Sequence, residues 1–198
     1  MDNYEKMQEA ARHRFLEYDY DALCRRTGVT AGEGGLFTRF LGQQVFVCRE
    51  TGEITVNGAK ATFSEALTIY DWLCDGQKDA QAAGKYCKIT SLPGVFVSGS
   101  GLELNGDSVA PLIEANRAEF LELCRRMDGQ EVAGADLAVV IWLFPDLPML
   151  LKFYEADEDF PASLAFLWDA NILRFIRYET IYYLAGCLLK RIRGKLQA

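Results

Sequence analysis

The chain has 198 residues, 50% of them hydrophobic and 25% charged, the balance of one soluble globular domain rather than a disordered or fibrous chain. A net charge of −7 argues against a general nucleic-acid binder. A single histidine excludes any mechanism that needs two.

The N-terminus, MDNYEKMQEAARHRF, carries charges throughout and has no apolar centre, so it is not a signal peptide. No stretch approaches the roughly 18 apolar residues of a membrane span. The longest apolar run, 137–144, has strand length. A cytoplasmic protein is expected, with Cys24, Cys48, Cys74, Cys87, Cys124 and Cys187 as reduced thiols. None of them forms a Cys-x-x-Cys pair, and zinc ribbons, thioredoxin-type motifs and clusters have no local support. Cys24, Cys124 and Cys187 sit in helical patterns and read as buried structural thiols.

In chain order, Asp2 and Glu5 can cap a first helix whose apolar stripe runs to Phe15 and Leu16. Asp19 caps a short second helix that ends near Gly28. The glycine-rich segment 30–35 reads as a loop. Strands follow at 36–40, 44–48 and 53–56, the last two joined by the turn 49–52, as a small antiparallel meander. Thr62 with Glu65 forms a capping box for a helix that stops at Gly76. Residues 77–85 read as a mobile polar loop, with short strands at 86–90 and 95–98. Asp107 or Ser108 caps a helix that holds Pro111 in its first turn and runs toward Gly129. Residues 136–144 and 149–155 form the clearest hairpin, joined by Pro145-Asp146-Leu147-Pro148. Its first arm is apolar on both faces, as in a central strand. A short helix is expected at 162–168 and a longer one through Ile181, Leu188 and Ile192, with Lys190, Arg191, Arg193 and Lys195 in its last turns. The class is α+β: a single domain over residues 1–198, an antiparallel sheet of hairpins with helices packed on it.

The densest polar feature is Glu155-Ala156-Asp157-Glu158-Asp159. Alternation places Glu155 on the face of Met149, Leu151 and Phe153. A carboxylate at a core edge can have a raised pKa and act as acid or base, and clustered carboxylates can hold a hard cation. The run lacks the glycine and distal glutamate of a calcium loop. Its bland reading is a strand end in solvent, followed by a helix capped by Asp159. Gly99-Ser100-Gly101 and Gly32-Glu33-Gly34-Gly35 read as turns, because neither completes a phosphate-binding loop. His13, between Arg12 and Arg14, reads as a solvated surface residue. Trp72, Trp142, Trp168, Tyr178, Tyr182 and Tyr183 could line a pocket for a flat ligand, but their spacing favours core. The basic run near the C-terminus reads as solvated, with docking of an acidic partner as its functional alternative.

Residues 136–138, Phe144-Pro145-Asp146-Leu147-Pro148, the acidic segment through Phe160-Pro161-Ala162, Leu167-Trp168-Asp169 and Tyr178-Glu179 together resemble the family called domain of unknown function 3786. So do Phe40-Leu41-Gly42, the helix at 67–73 and the segment 89–94 in the first half. The family's central glycine-rich stretch is only partly present; Asp159 stands for a common Glu and Trp168 for a common Phe. The resemblance implies a bacterial or archaeal family with no assigned activity. Attached iron–sulfur segments in some relatives imply redox or corrinoid-linked surroundings for the family.

The expectation is a non-catalytic cytoplasmic accessory domain that binds a small molecule or a protein. Its site would be Glu155, Asp157, Glu158 and Asp159, with Trp168 nearby. The rival expectation is a metal-assisted or acid/base enzyme that uses the same carboxylates. A third is a structural subunit with an exposed aromatic patch. No catalytic residue, metal ligand or cofactor is assigned, and nucleic acid and membrane are not expected partners.

Overall fold

The computed structural model describes residues 3–95 and 104–197. Asp2, most of the expected strand at 95–98 and the turn at 99–101 lie outside the described residues. Helix α1 (Asn3–Glu17) buries Ala11 and Phe15, four residues apart and therefore on one face. Asp19 caps α2 (Tyr20–Cys24): its Oδ1 accepts from the backbone N–H of Asp21 at 3.0 Å and of Ala22 at 3.3 Å.

A five-stranded antiparallel meander follows in chain order: β1 (Thr30–Gly32), β2 (Gly35–Phe40), β3 (Gln43–Cys48), β4 (Ile54–Val56) and β5 (Ala59–Lys60). Residues 30–35 are therefore not all loop. Thr30, Ala31 and Gly32 pair with Phe37, Leu36 and Gly35 across a tight turn, where Gly34 takes a φ of 76°. Sheet pairing supplies the order that a glycine-rich composition hides.

The capping box forms at α3 (Phe63–Cys74), where the Thr62 backbone N–H and hydroxyl donate to Glu65 Oε2 at 2.8 and 2.7 Å. Every residue from Ala66 to Cys74 is buried, because α3 packs against α1 on one side and α6 (Tyr178–Leu196) on another. The polar loop 77–85 is not free. Asp169, fully buried, accepts from the backbone N–H of Ala83 and Gly84 at 2.9 Å, and Gln77 N–H donates to Arg174 O at 2.8 Å.

The second sheet is also antiparallel, in the order β6-β10-β9-β8-β7. Its strands are β6 (Tyr86–Cys87), β7 (Gln130–Val132), β8 (Leu137–Phe144), β9 (Leu147–Tyr154) and β10 (Ser163–Asp169). The expected strand at 86–90 shortens to β6, and Ile89–Ser91 is a 3₁₀ turn. The hairpin β8–β9 closes through Pro145 and Asp146 alone. The helix expected at 162–168 is β10, a correction. Leu164, Phe166 and Trp168 point to the core in strict alternation and pair with Phe153, Leu151 and Met149. The helix expected from 108 toward 129 is also divided, into α4 (Ala110–Ala115) and α5 (Arg117–Arg126). At the break, Asn116 donates its Nδ2 to Leu112 O at 2.9 Å, a side-chain bond in competition with the helix ladder.

Helices α4 and α5 pack on β10 and β8. Phe144 joins the two sheets: its ring lies 4.9 Å from that of Phe40 on β2 and stacks on Trp72 of α3 at 4.4 Å. Apart from Ala138 and Leu150, the buried apolar residues of both sheets and all six helices form one continuous cluster. Among the described residues no helix is long and apolar enough to cross a membrane.

Candidate functional site

The acidic segment leaves β9 at the open end of the second sheet. Its carboxylates do not converge. Glu155 is exposed and ion-paired with Arg117, the first residue of α5, whose other Nη donates to Asp136 O at 2.5 Å. Asp136 Oδ2 in turn accepts from Glu155 N–H at 3.0 Å, and Glu114 Oε1 accepts from Ala156 N–H at 2.9 Å. Asp157 Oδ1 accepts from the backbone N–H of Asp159 and Phe160 at 2.9 and 2.8 Å, closing a turn on itself. Glu158 and Asp159 face solvent. Asp159 caps no helix, because a strand follows. Among the described residues, no three Asp, Glu, His or Cys side chains are placed to hold a metal ion. Trp168 does not join the carboxylates. It is fully buried beside Met149, five residues from Ser163 along β10, or about 17 Å at strand rise. Phe160 is the outward feature here, 71% exposed.

A second polar cluster is internal. Arg14 of α1 contacts Asp71 of α3 at 2.5 Å and Asp75 at 3.3 Å. Arg177 pairs with Asp75 at 2.8 Å, and the Thr180 hydroxyl donates to Asp71. Burial raises the pKa of Asp75, against the pull of Arg14. This cluster ties α1, α3 and the start of α6 together.

The third polar region is a cleft of about 370 Å³ between α5, α6 and the β2–β3 turn. Leu41 and Gly42 in that turn take φ values of 48° and 73°. Leu41 N–H donates to Leu143 O at 2.9 Å, and a Cβ on Gly42 would lie 2.2 Å from the Arg126 carbonyl oxygen. The turn is thus wedged against the end of α5. The cleft's apolar floor is Leu41, Leu123 and Cys187, and its cations are Arg126, Lys190, Arg191 and Lys195. Glu122 ion-pairs with Arg126 and lies 3.1 Å from Lys195, which together hold its carboxyl below the ordinary range. Arg191 and Lys190 make no hydrogen bond or ion pair with any described residue, and the buried Arg191 Nε has no acceptor. Burial, and then neighbouring Arg126, pull the Arg191 pKa down, against the opposite pull of Glu65. Burial pushes the Cys187 thiol up to about 12, so it stays protonated at neutral pH.

The family model of domain of unknown function DUF3786 matches residues 19–191. The chain belongs to this family. The DUF3786 match covers both sheets, the hairpin end and the cations of the cleft up to Arg191, and begins after α1. No curated protein and no solved structure matches the chain. Within this DUF3786 domain, the basic run of α6 was visible as sequence. Its partner Arg126 is 64 positions from Lys190, and only the packing of α5 on α6 joins them. Arg117, Glu114 and Asp136, which staple the acidic loop, carried no local signal either.

Proposed function

We propose that this domain is a non-catalytic, cytoplasmic accessory module that binds a small anionic ligand in the α5–α6 cleft. One observation carries the reading. In a chain of net charge −7, four cations line one cavity, and Arg191 among them is half-buried with no hydrogen bond or ion pair among the described residues, only the longer-range pull of Glu65. A cation partly withdrawn from water without a paired carboxylate is costly, and a bound anion offsets that cost. The groups that could do chemistry there are held inactive: Cys187 is a protonated thiol, and Glu65 is engaged as the cap of α3. Thermal unfolding tests the reading. Adding millimolar citrate or pyrophosphate is expected to raise the Tm of the protein and leave that of Lys190→Glu/Arg191→Glu unmoved. Equal shifts in both proteins would show that the anions act elsewhere.

The hairpin end supports a second reading, a surface for a protein partner. Phe160 stands exposed among Glu155, Asp157, Glu158 and Asp159, a combination that suits an apolar pocket rimmed by cations. A photo-crosslinking residue in place of Phe160 tests it. The same captured protein should disappear when Asp157, Glu158 and Asp159 are changed to Lys.

A further inference from the structure

The charge balance of the cleft narrows its ligand class, a step that rests on the anion-binding reading above. Four cations, Arg126, Lys190, Arg191 and Lys195, stand against two carboxylates, Glu65 and Glu122. Glu122 is divided between Arg126 and Lys195. A net of two positive charges remains. A monocarboxylate offsets one of them. A phosphate monoester, with a charge of about −1.5 to −2 near neutral pH, offsets both.

The donors fit the same group. The Arg191 guanidinium offers a rigid planar fork, its Nε already withdrawn from water and without an acceptor. Lys190, exposed at the mouth, adds a mobile point charge. Gly194, one turn past Lys190 on α6, also lines the cleft and puts no side chain over it. Below the cations lie Leu41, Leu123 and Cys187, and the protonated thiol makes that floor apolar. A volume of about 370 Å³ suits a small molecule.

We infer that the cleft binds a small phosphate monoester with an apolar or aromatic body. The phosphate sits between Lys190 and Arg191, and the body lies over Leu41, Leu123 and Cys187.

Isothermal titration calorimetry on the full chain, with phenyl phosphate, inorganic phosphate and benzoate at one ionic strength, tests this. Phenyl phosphate is expected to bind at least about tenfold tighter than benzoate, and tighter than inorganic phosphate, which competes with it. Its affinity falls as pH drops through about 6, where the phosphate regains a proton. Arg191→Gln and Lys190→Gln each weaken it roughly tenfold, and the exposed control Arg25→Gln leaves it unchanged. Lys190 is exposed, so its variant reports on binding even if Arg191→Gln folds poorly. Benzoate binding as tightly as phenyl phosphate would overturn the phosphate assignment and leave the anion reading standing. Inorganic phosphate binding as tightly as phenyl phosphate would overturn the apolar body. Phenyl phosphate affinity unmoved by both Gln variants would overturn the location. If none of the three probes binds, the inference and the anion reading fall together.

Discussion

The hairpin end and the α5–α6 cleft carry opposite charges and opposite states of satisfaction. At the hairpin end every carboxylate that touches the fold has a donor: Glu155 has Arg117, Asp136 and Glu114 each have a backbone N–H, and Asp157 has two. In the cleft, Glu122 serves two of the four cations, while Lys190 and Arg191 have no hydrogen bond or ion pair among the described residues. Both regions are dense clusters of charge in the sequence. The difference teaches that density of charge alone does not tell such regions apart. One cluster closes on itself and holds a loop in place, and the other keeps donors without acceptors among the described residues.

The largest test of this contrast uses a satisfied carboxylate that is also buried. Asp169 accepts from Ala83, Gly84 and Asn171 N–H, the last at 2.8 Å, with no exposure to water. Asp169→Ala strands three donors and loosens the 83–84 end of the loop, whose other end stays tied to Arg174 and Asn171. The expected loss is roughly 3–5 kcal/mol in urea denaturation. A loss under about 1 kcal/mol would mean that water satisfies these donors as well as the carboxylate does. The exposed counterpart, Asp157→Ala, opens only a turn, and about 1 kcal/mol at most is expected from the same measurement.

Arg191→Met sharpens the comparison by its sign. Where removal of a hairpin-end group lowers stability, removal of this cation is expected to leave stability unchanged or raise it by up to about 1 kcal/mol, since it has no ion pair or hydrogen bond to lose and only the longer-range pull of Glu65 opposes its burial. Its cost is expected in anion binding alone. A destabilisation of about 2 kcal/mol or more would show that Arg191 is a structural residue and that its stem packs the α5–α6 seam.

These contrasts were only partly legible in the chain. Features fixed by near neighbours could be read: the Asp19 cap, the Thr62–Glu65 box, the β2–β3–β4 meander and the β8–β9 hairpin are each specified within a few residues. Features fixed by distant partners could not. In β10, Ala165 and Leu167 are good helix formers, and the alternation of Leu164, Phe166 and Trp168 shows its purpose only once β9 lies beside it. The strand β1 hides in glycines until β2 pairs with it. Asn116 splits a helix through one side-chain bond that spacing does not reveal. The acidic segment drew notice for its charge, yet what decides its role is Arg117, Glu114 and Asp136 from other elements. The cleft is a mixed case: Lys190 and Arg193 on α6 are exposed, as a solvated run would be, while the Nε of Arg191 is buried and the packing of α5 on α6 brings Arg126 into the same cleft.

The smallest expected effect probes the one carboxylate that the cleft shares with the hairpin end in kind. Glu122 is the internal counter-charge of Arg126 and Lys195, and Lys195 first, then Arg126, hold its pKa below the ordinary range. It is therefore ionised throughout the neutral and mildly acidic range. Any stability it adds is present above the ordinary carboxylate pKa of about 4.3 and is lost as pH falls through the lowered value. Glu122→Gln releases both cations toward the cavity. Sulfate, which keeps both charges over this range, should bind the variant about two- to fivefold tighter, an effect that shrinks with added salt. The advantage should hold constant from about pH 8 to 5 and close only below the ordinary carboxylate range, where Glu122 of the native chain becomes protonated as well. An advantage that closes near pH 6 would mean that the residue titrating beside the anion is not Glu122. The cleft would then contain a charge balance different from four cations against two carboxylates.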